Sequence, residues 1–89
     1  MSEQARGDAI RKEVLFQAYA LRPVPVSLDG IHRECVKQRF DYSRLEISRE
    51  VQFLCDRGLL FQIEDRGGTA HLYRIHAEGV AYYQQNYEA

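Results

Sequence analysis

The clearest hydrophobic pattern in the chain lies between Ser43 and Gly58, SRLEISREVQFLCDRG. At about 100° per residue, Ile47, Val51 and Leu54 share one face, and Leu45, Arg49, Gln52 and Asp56 the opposite one. Both ends of this helix are written locally. Ser43 and Glu46 have the spacing of a capping box, Tyr42 and Ile47 that of a hydrophobic staple, and Gly58 the left-handed residue that commonly ends a helix. The inner stripe predicts core. The outer stripe, with Arg44 at its entry, predicts a surface that can meet a partner.

Upstream, Ile10, Val14, Ala18 and Leu21 form one apolar stripe and predict a helix from about Asp8 to Leu21. Leu15 and Tyr19 fall nearly opposite it, so this helix needs a second surface to bury against. Arg22-Pro23-Val24-Pro25-Val26 predicts a short extended connector, because proline cannot continue the helix. Ser27 is placed to cap a second helix with Leu28, Ile31 and Cys35 inward, ending near Arg39. Phe40-Asp41-Tyr42 then links it to the Ser43 helix, the length of a helix-turn-helix connection.

The period changes to two at Leu59–Asp65, where Leu59, Phe61 and Ile63 alternate with Leu60, Gln62 and Glu64. Thr69–Ile75 predicts a second strand. With Arg66-Gly67-Gly68 as a three-residue loop, Asp65 would face Thr69, Phe61 would face Tyr73, and Leu59 would face Ile75. A closing helix is expected over 77–86, with Val80, Tyr83 and Tyr87 on one face.

Composition narrows the function. Eighty-nine residues make one small domain. The start, MSEQARGD, lacks the basic-then-apolar order of a signal peptide, and no apolar run is long enough to span a bilayer. A cytoplasmic protein without a membrane segment is expected, so Cys35 and Cys55 are read as reduced, not as a disulfide. His32, Cys35, Cys55, His71 and His76 lack the tight paired spacing of zinc motifs, so neither metal nor cofactor is expected. No serine or cysteine has an evident base, and Gly67-Gly68 joins strands instead of opening a helix, so no enzyme is expected.

Net charge is −1, with six basic and six acidic residues between Ser27 and Arg57, which does not favour a strong sequence-independent hold on phosphates. Ten of the twelve basic residues are arginine, however, the side chain suited to bidentate contact with phosphate, guanine or carboxylate.

The order helix, helix, short turn, helix, two-stranded hairpin, helix resembles the winged helix-turn-helix superfamily over nearly the whole chain. VQFLCDRGLL (51–60) resembles the end of a recognition helix entering the wing, and YRIHAEG (73–79) is similar to the strand-to-helix junction of many small bacterial regulators. His76 departs from that pattern by standing where threonine is common, which predicts a weaker cap. The resemblance implies an α+β fold: a helix-turn-helix over about 27–57, a wing over about 59–75, and a C-terminal helix. It implies a sequence-specific reader of double-stranded DNA, a small transcriptional regulator with its third helix in the major groove. By position, Arg44, Arg49 and Gln52 would face bases and phosphates, Arg39 a phosphate, and Arg66 at the wing tip an adjacent groove. Glu46 and Glu50 lie close to the same surface and would repel phosphate unless they pair with Arg49 or Arg33 or accept from a cytosine amino group. The aromatics Phe16, Tyr19, Tyr82 and Tyr83 are assigned to a two-fold homodimer interface, against the simpler alternative that the first and last helices pack within one chain. The competing reading from another class is a winged helix that binds protein and no DNA.

Overall fold

The computed structural model describes residues 2–63 and 71–88. In chain order it contains α1 (Glu3–Leu21), β1 (Val26–Ser27), α2 (Leu28–Lys37), α3 (Arg44–Asp56), β2 (Leu60–Ile63), β3 (Leu72–Ile75) and α4 (Ala77–Tyr87). The architecture is α+β: four helices and a three-stranded antiparallel sheet in the order β1–β3–β2.

α1 begins at Glu3, earlier than the apolar stripe implies. Ser2 caps it, with Oγ accepting from the Ala5 N–H at 3.1 Å. A polar first turn carries no hydrophobic period, so the pattern could not show it. Ile10, Val14, Leu15 and Ala18 are buried, and the helix packs on α3, α4 and β3. The second surface that α1 requires is therefore supplied within the chain. Leu21, assigned to the inner stripe, is 53% exposed at the helix end.

α2 is capped by Ser27, whose Oγ accepts from the Gly30 N–H at 2.9 Å, and it stops at Lys37, short of Arg39. The reason is the backbone of Arg39, which takes φ 64°. The Phe40 N–H donates to the Cys35 carbonyl at 2.9 Å, and the Arg39 N–H to Val36 at 3.0 Å. This is a Schellman ending with arginine at the left-handed position. α3 ends the same way with glycine: Gly58 has φ 75°, Leu59 N–H donates to Leu54 and Gly58 N–H to Cys55, both at 3.0 Å. An L-residue in that region is unfavourable by roughly 1–2 kcal/mol. Arg39→Gly is expected to raise the unfolding free energy by roughly 0.5–1 kcal/mol, the unfolded-state entropy of glycine offsetting part of the relief. A higher urea midpoint is the readout; a lower one would mean that the guanidinium makes contacts worth more than the backbone strain.

The start of α3 matches its sequence signature. Ser43 Oγ accepts from the Glu46 N–H at 3.1 Å, and Glu46 Oε1 accepts from the Ser43 N–H at 3.0 Å. Ile47, Val51 and Leu54 are buried. Together with Ile31 and Cys35 of α2, Leu60, Tyr73 and Ile75 of the sheet, and Tyr83 of α4, they complete a single core.

The sheet differs from expectation twice. First, the proline-flanked connector contributes a third strand: Val26 pairs with Tyr73 and Ser27 with Leu72. Second, the register is shifted by one. Leu60 pairs with Ile75, Phe61 with Arg74, Gln62 with Tyr73 and Ile63 with Leu72, in place of Phe61 with Tyr73 and Leu59 with Ile75. A shift of one exchanges the faces. Leu60 is 2% exposed and Phe61 is 39% exposed. The cause is Leu59, which is committed to closing α3 and whose carbonyl accepts from the His76 N–H at 2.9 Å. Leu60 is then the first strand residue free to point into the core. The expected loop at 66–68 and the pairing of Asp65 with Thr69 lie outside the described residues. His76 caps α4 with its ring, Nδ1 accepting from the Glu78 N–H at 3.1 Å.

Candidate nucleic-acid interface

The outward face of α3 carries Leu45, Arg49, Gln52 and Asp56, all exposed. Their placement follows from the inner stripe opposite them. Gln52 is tied along the helix, its Nε2 donating to Asp56 Oδ1 at 2.9 Å. Arg44 reaches back to the start of α2, where Nη2 lies 2.6 Å from Asp29 Oδ1. Both partners are largely exposed, so this pair is weak and can exchange for another anion. Among the described residues Arg49 forms no salt bridge, and it is the basic side chain nearest the middle of the face. Arg39 is exposed at the turn between the helices, while Arg66 lies outside the described residues.

The two troublesome carboxylates are on a different flank. Glu46 forms a bidentate pair with Arg6 of α1, with Nε–Oε2 at 2.5 Å and Nη2–Oε1 at 3.1 Å. Arg6 also donates to the Asp41 carbonyl at 3.0 Å and lies 3.4 Å from its carboxylate. Glu50 accepts from Arg11 Nη1 at 2.9 Å, and Arg11 also pairs with Asp8. Neither glutamate is held by Arg49 or Arg33, the pairings that the sequence offered as one way to spare a phosphate from them. Three of the six acids between Ser27 and Arg57 (Asp41, Glu46 and Glu50) thus have an arginine of α1 within ion-pair distance, with Arg6 shared between Asp41 and Glu46 and Arg11 shared between Glu50 and Asp8.

The hydrogen bonds from Arg6, and then the one from the Ser43 backbone, hold the Glu46 carboxyl down to about 2. An unfolded glutamate titrates near about 4.3. Because the folded value is depressed, the pair stabilises the fold fully above the unfolded value, and the contribution disappears as pH falls towards 2. Stability measured by urea unfolding is expected to drop across this window. Glu46→Gln should flatten that drop while lowering stability at neutral pH; an unchanged profile would assign the acid sensitivity to other groups.

The aromatic residues assigned to a dimer are divided. Tyr83 is buried and stacks on Tyr19, with centroids 4.4 Å apart, and Phe16 lies 6.2 Å from Tyr83. These contacts join α1 to α4 in one chain. Tyr82 lines a different groove with Tyr87 and Phe53. Phe16 and Tyr82 remain about two-fifths exposed.

Sequence reasoning missed Arg6 and Arg11. One signal was available: Arg6 stands four residues before Ile10, on the core side of α1, where an unpaired charge would be unfavourable. Burial raises both thiols, Cys35 and Cys55, with the Glu13 charge the next cause at Cys35. Both cysteines are free. Among the described residues no three metal-ligating side chains converge, and no helix is long and apolar enough to cross a membrane. Comparison with protein-family models, curated proteins and solved structures gives no match.

Proposed function

We propose that the chain is a winged helix-turn-helix protein that reads double-stranded DNA in sequence-specific fashion and acts as a small transcriptional regulator. In this reading α2 and α3 are the helix-turn-helix, α3 enters the major groove, and β2 and β3 carry the wing. Arg49 and Gln52 address base edges, while Arg44 and Arg39 hold phosphates. The observation that carries the reading is the pairing of Glu46 and Glu50 with Arg6 and Arg11 on the flank of α3, which leaves Arg49 and Gln52 facing outward with neither glutamate paired to Arg49. A protein-binding winged helix is the second reading. It is favoured by Leu45, which is 61% exposed on the same face, and by an overall charge of −1.

Fluorescence anisotropy of labelled random duplex, at about 50 and about 200 mM salt, separates the two, since phosphate neutralisation must be steeply salt-dependent. Binding that weakens with salt, and a slope reduced by about one in Arg49→Ala, supports DNA recognition. Absence of binding at low salt, or affinity unchanged in Arg49→Ala and Arg44→Ala, overturns it in favour of the protein-binding reading.

A further inference from the structure

A groove of about 430 Å³ opens between α1, β1 and α2, away from the outward face of α3. Its walls are mostly apolar: Phe16, Leu21 and Val26, with the aliphatic edges of Ala20 and Pro25. The size is that of small-molecule sites, which pair an apolar lining with a few placed polar groups. Here the one charged side chain in the lining is acidic. Glu34 lines the groove and, among the described residues, makes no salt bridge. Its Oε1 is met by Gln38 Nε2 at 3.4 Å, and that same nitrogen lies 3.4 Å from Glu13 Oε2. Glu13 likewise makes no salt bridge among the described residues. Glu34 in the lining and Glu13 outside it are thus bridged by one neutral amide.

Gln17 supplies the second observation. It is 6% exposed yet lines the groove. Its Nε2 is occupied, donating to Glu13 Oε2 at 2.8 Å and lying 3.5 Å from the Ile31 carbonyl. Its Oε1 accepts no hydrogen bond from the described residues. Among the described residues no buried side-chain oxygen lacks a partner, so this oxygen keeps some exposure, on a residue that lines the groove. The negative potential is also felt inside the fold, where after burial itself the Glu13 charge, and to a smaller extent that of Glu34, raises the Cys35 thiol.

We propose that this groove binds a small apolar molecule carrying a protonated amine, its ammonium donating to Glu34 and to Gln17 Oε1 and its body lying on Phe16, Leu21 and Val26. A neutral molecule leaves the Glu34 carboxylate uncompensated beside the newly buried wall. An anion is repelled. An ammonium supplies donors and counter-charge together, and charge-assisted hydrogen bonds are the stronger kind. The site is independent of the DNA reading and stands or falls without it.

The test is an amide-resolved NMR titration of the full chain with 2-phenylethylammonium, 2-phenylethanol and 3-phenylpropanoate. Saturable shifts at Ala20, Gly30 and Gln38 are expected with the amine, at an affinity at least about tenfold above the alcohol, with no saturable shifts from the acid. Glu34→Gln, which keeps shape and removes charge, should bring the amine to the level of the alcohol while the rest of the spectrum stays in place. Equal binding of amine and acid, shifts confined to other surfaces, or no saturation would overturn the proposal. So would the same shifts appearing on concentrating the protein without probe, which would assign the groove to a second copy of the chain.

Discussion

Gly79→Ala is expected to lower the unfolding free energy by about 2–3 kcal/mol, although alanine is the better helix former. The helix preference works in favour of the change by only about 1 kcal/mol. Against it stands the approach of α4 to the start of β2. A Cβ at Gly79 would overlap the carbonyl oxygen of Leu59 and lie 2.8 Å from Ile75 Cγ1. Overpacking of this kind costs typically 1–3 kcal/mol, and here the obstacle includes backbone that cannot rotate away. That carbonyl also accepts the His76 N–H, so any shift that relieves the methyl strains a hydrogen bond. For a domain of this size the melting temperature should fall by roughly 10–20 °C. The same change at Gly7 provides contrast, because a methyl there meets only the end of the Glu50 side chain at 3.4 Å and should be neutral or mildly stabilising. A Gly79→Ala chain as stable as wild type would mean that α4 does not sit this close to Leu59.

Tyr83→Ala is the second large effect, expected at about 3–5 kcal/mol, as for other large buried aromatics. The ring is 9% exposed and has three aromatic neighbours, Tyr19, Tyr87 and Phe16. Tyr19 is itself held by Arg22 over its other face, by Glu88 accepting from its hydroxyl at 2.7 Å, and by Gln84 donating to it. Losing Tyr83 removes a wall from this cluster and undocks α4 from α1. Phe16→Ala and Tyr82→Ala, both at exposed positions, should cost no more than about 1 kcal/mol each. Thermal unfolding combined with sedimentation separates packing from association. If Tyr83→Ala lowered self-association with little change in monomer stability, the ring would belong to a dimer interface and not to the α1–α4 contact.

What could be read from the residues was whatever is decided within one turn of chain. Ser43 and Glu46 are three apart, Gly58 follows the last helical turn, and Ile47, Val51 and Leu54 repeat at helical spacing; each has the role its spacing implies. What could not be read depends on a partner far along the chain. Val26–Ser27 is a strand only because Tyr73 and Leu72 lie beside it, and two residues have no period to detect. The hairpin register turned on one residue, Leu59, whose backbone serves α3 and α4 before β2 begins. Arg39 was read as a phosphate contact, while its backbone had a local task that arginine gives no hint of. For the outward face, Arg49 and Gln52 were visible from the helical period. The fate of Glu46 and Glu50 was not, since it is settled by arginines about 40 residues earlier.

Those two ion pairs place the charge balance of one surface under the control of residues on a neighbouring helix. Arg6 and Arg11 reach the flank of α3 from α1, beside its solvent face and not on it. In a selection for altered binding, substitutions at these positions would score alongside true contact residues, and a map of hits would extend from α3 onto α1. Under the DNA reading, the charge that a ligand meets on the outer face is thus set partly by a helix that does not carry the contact residues.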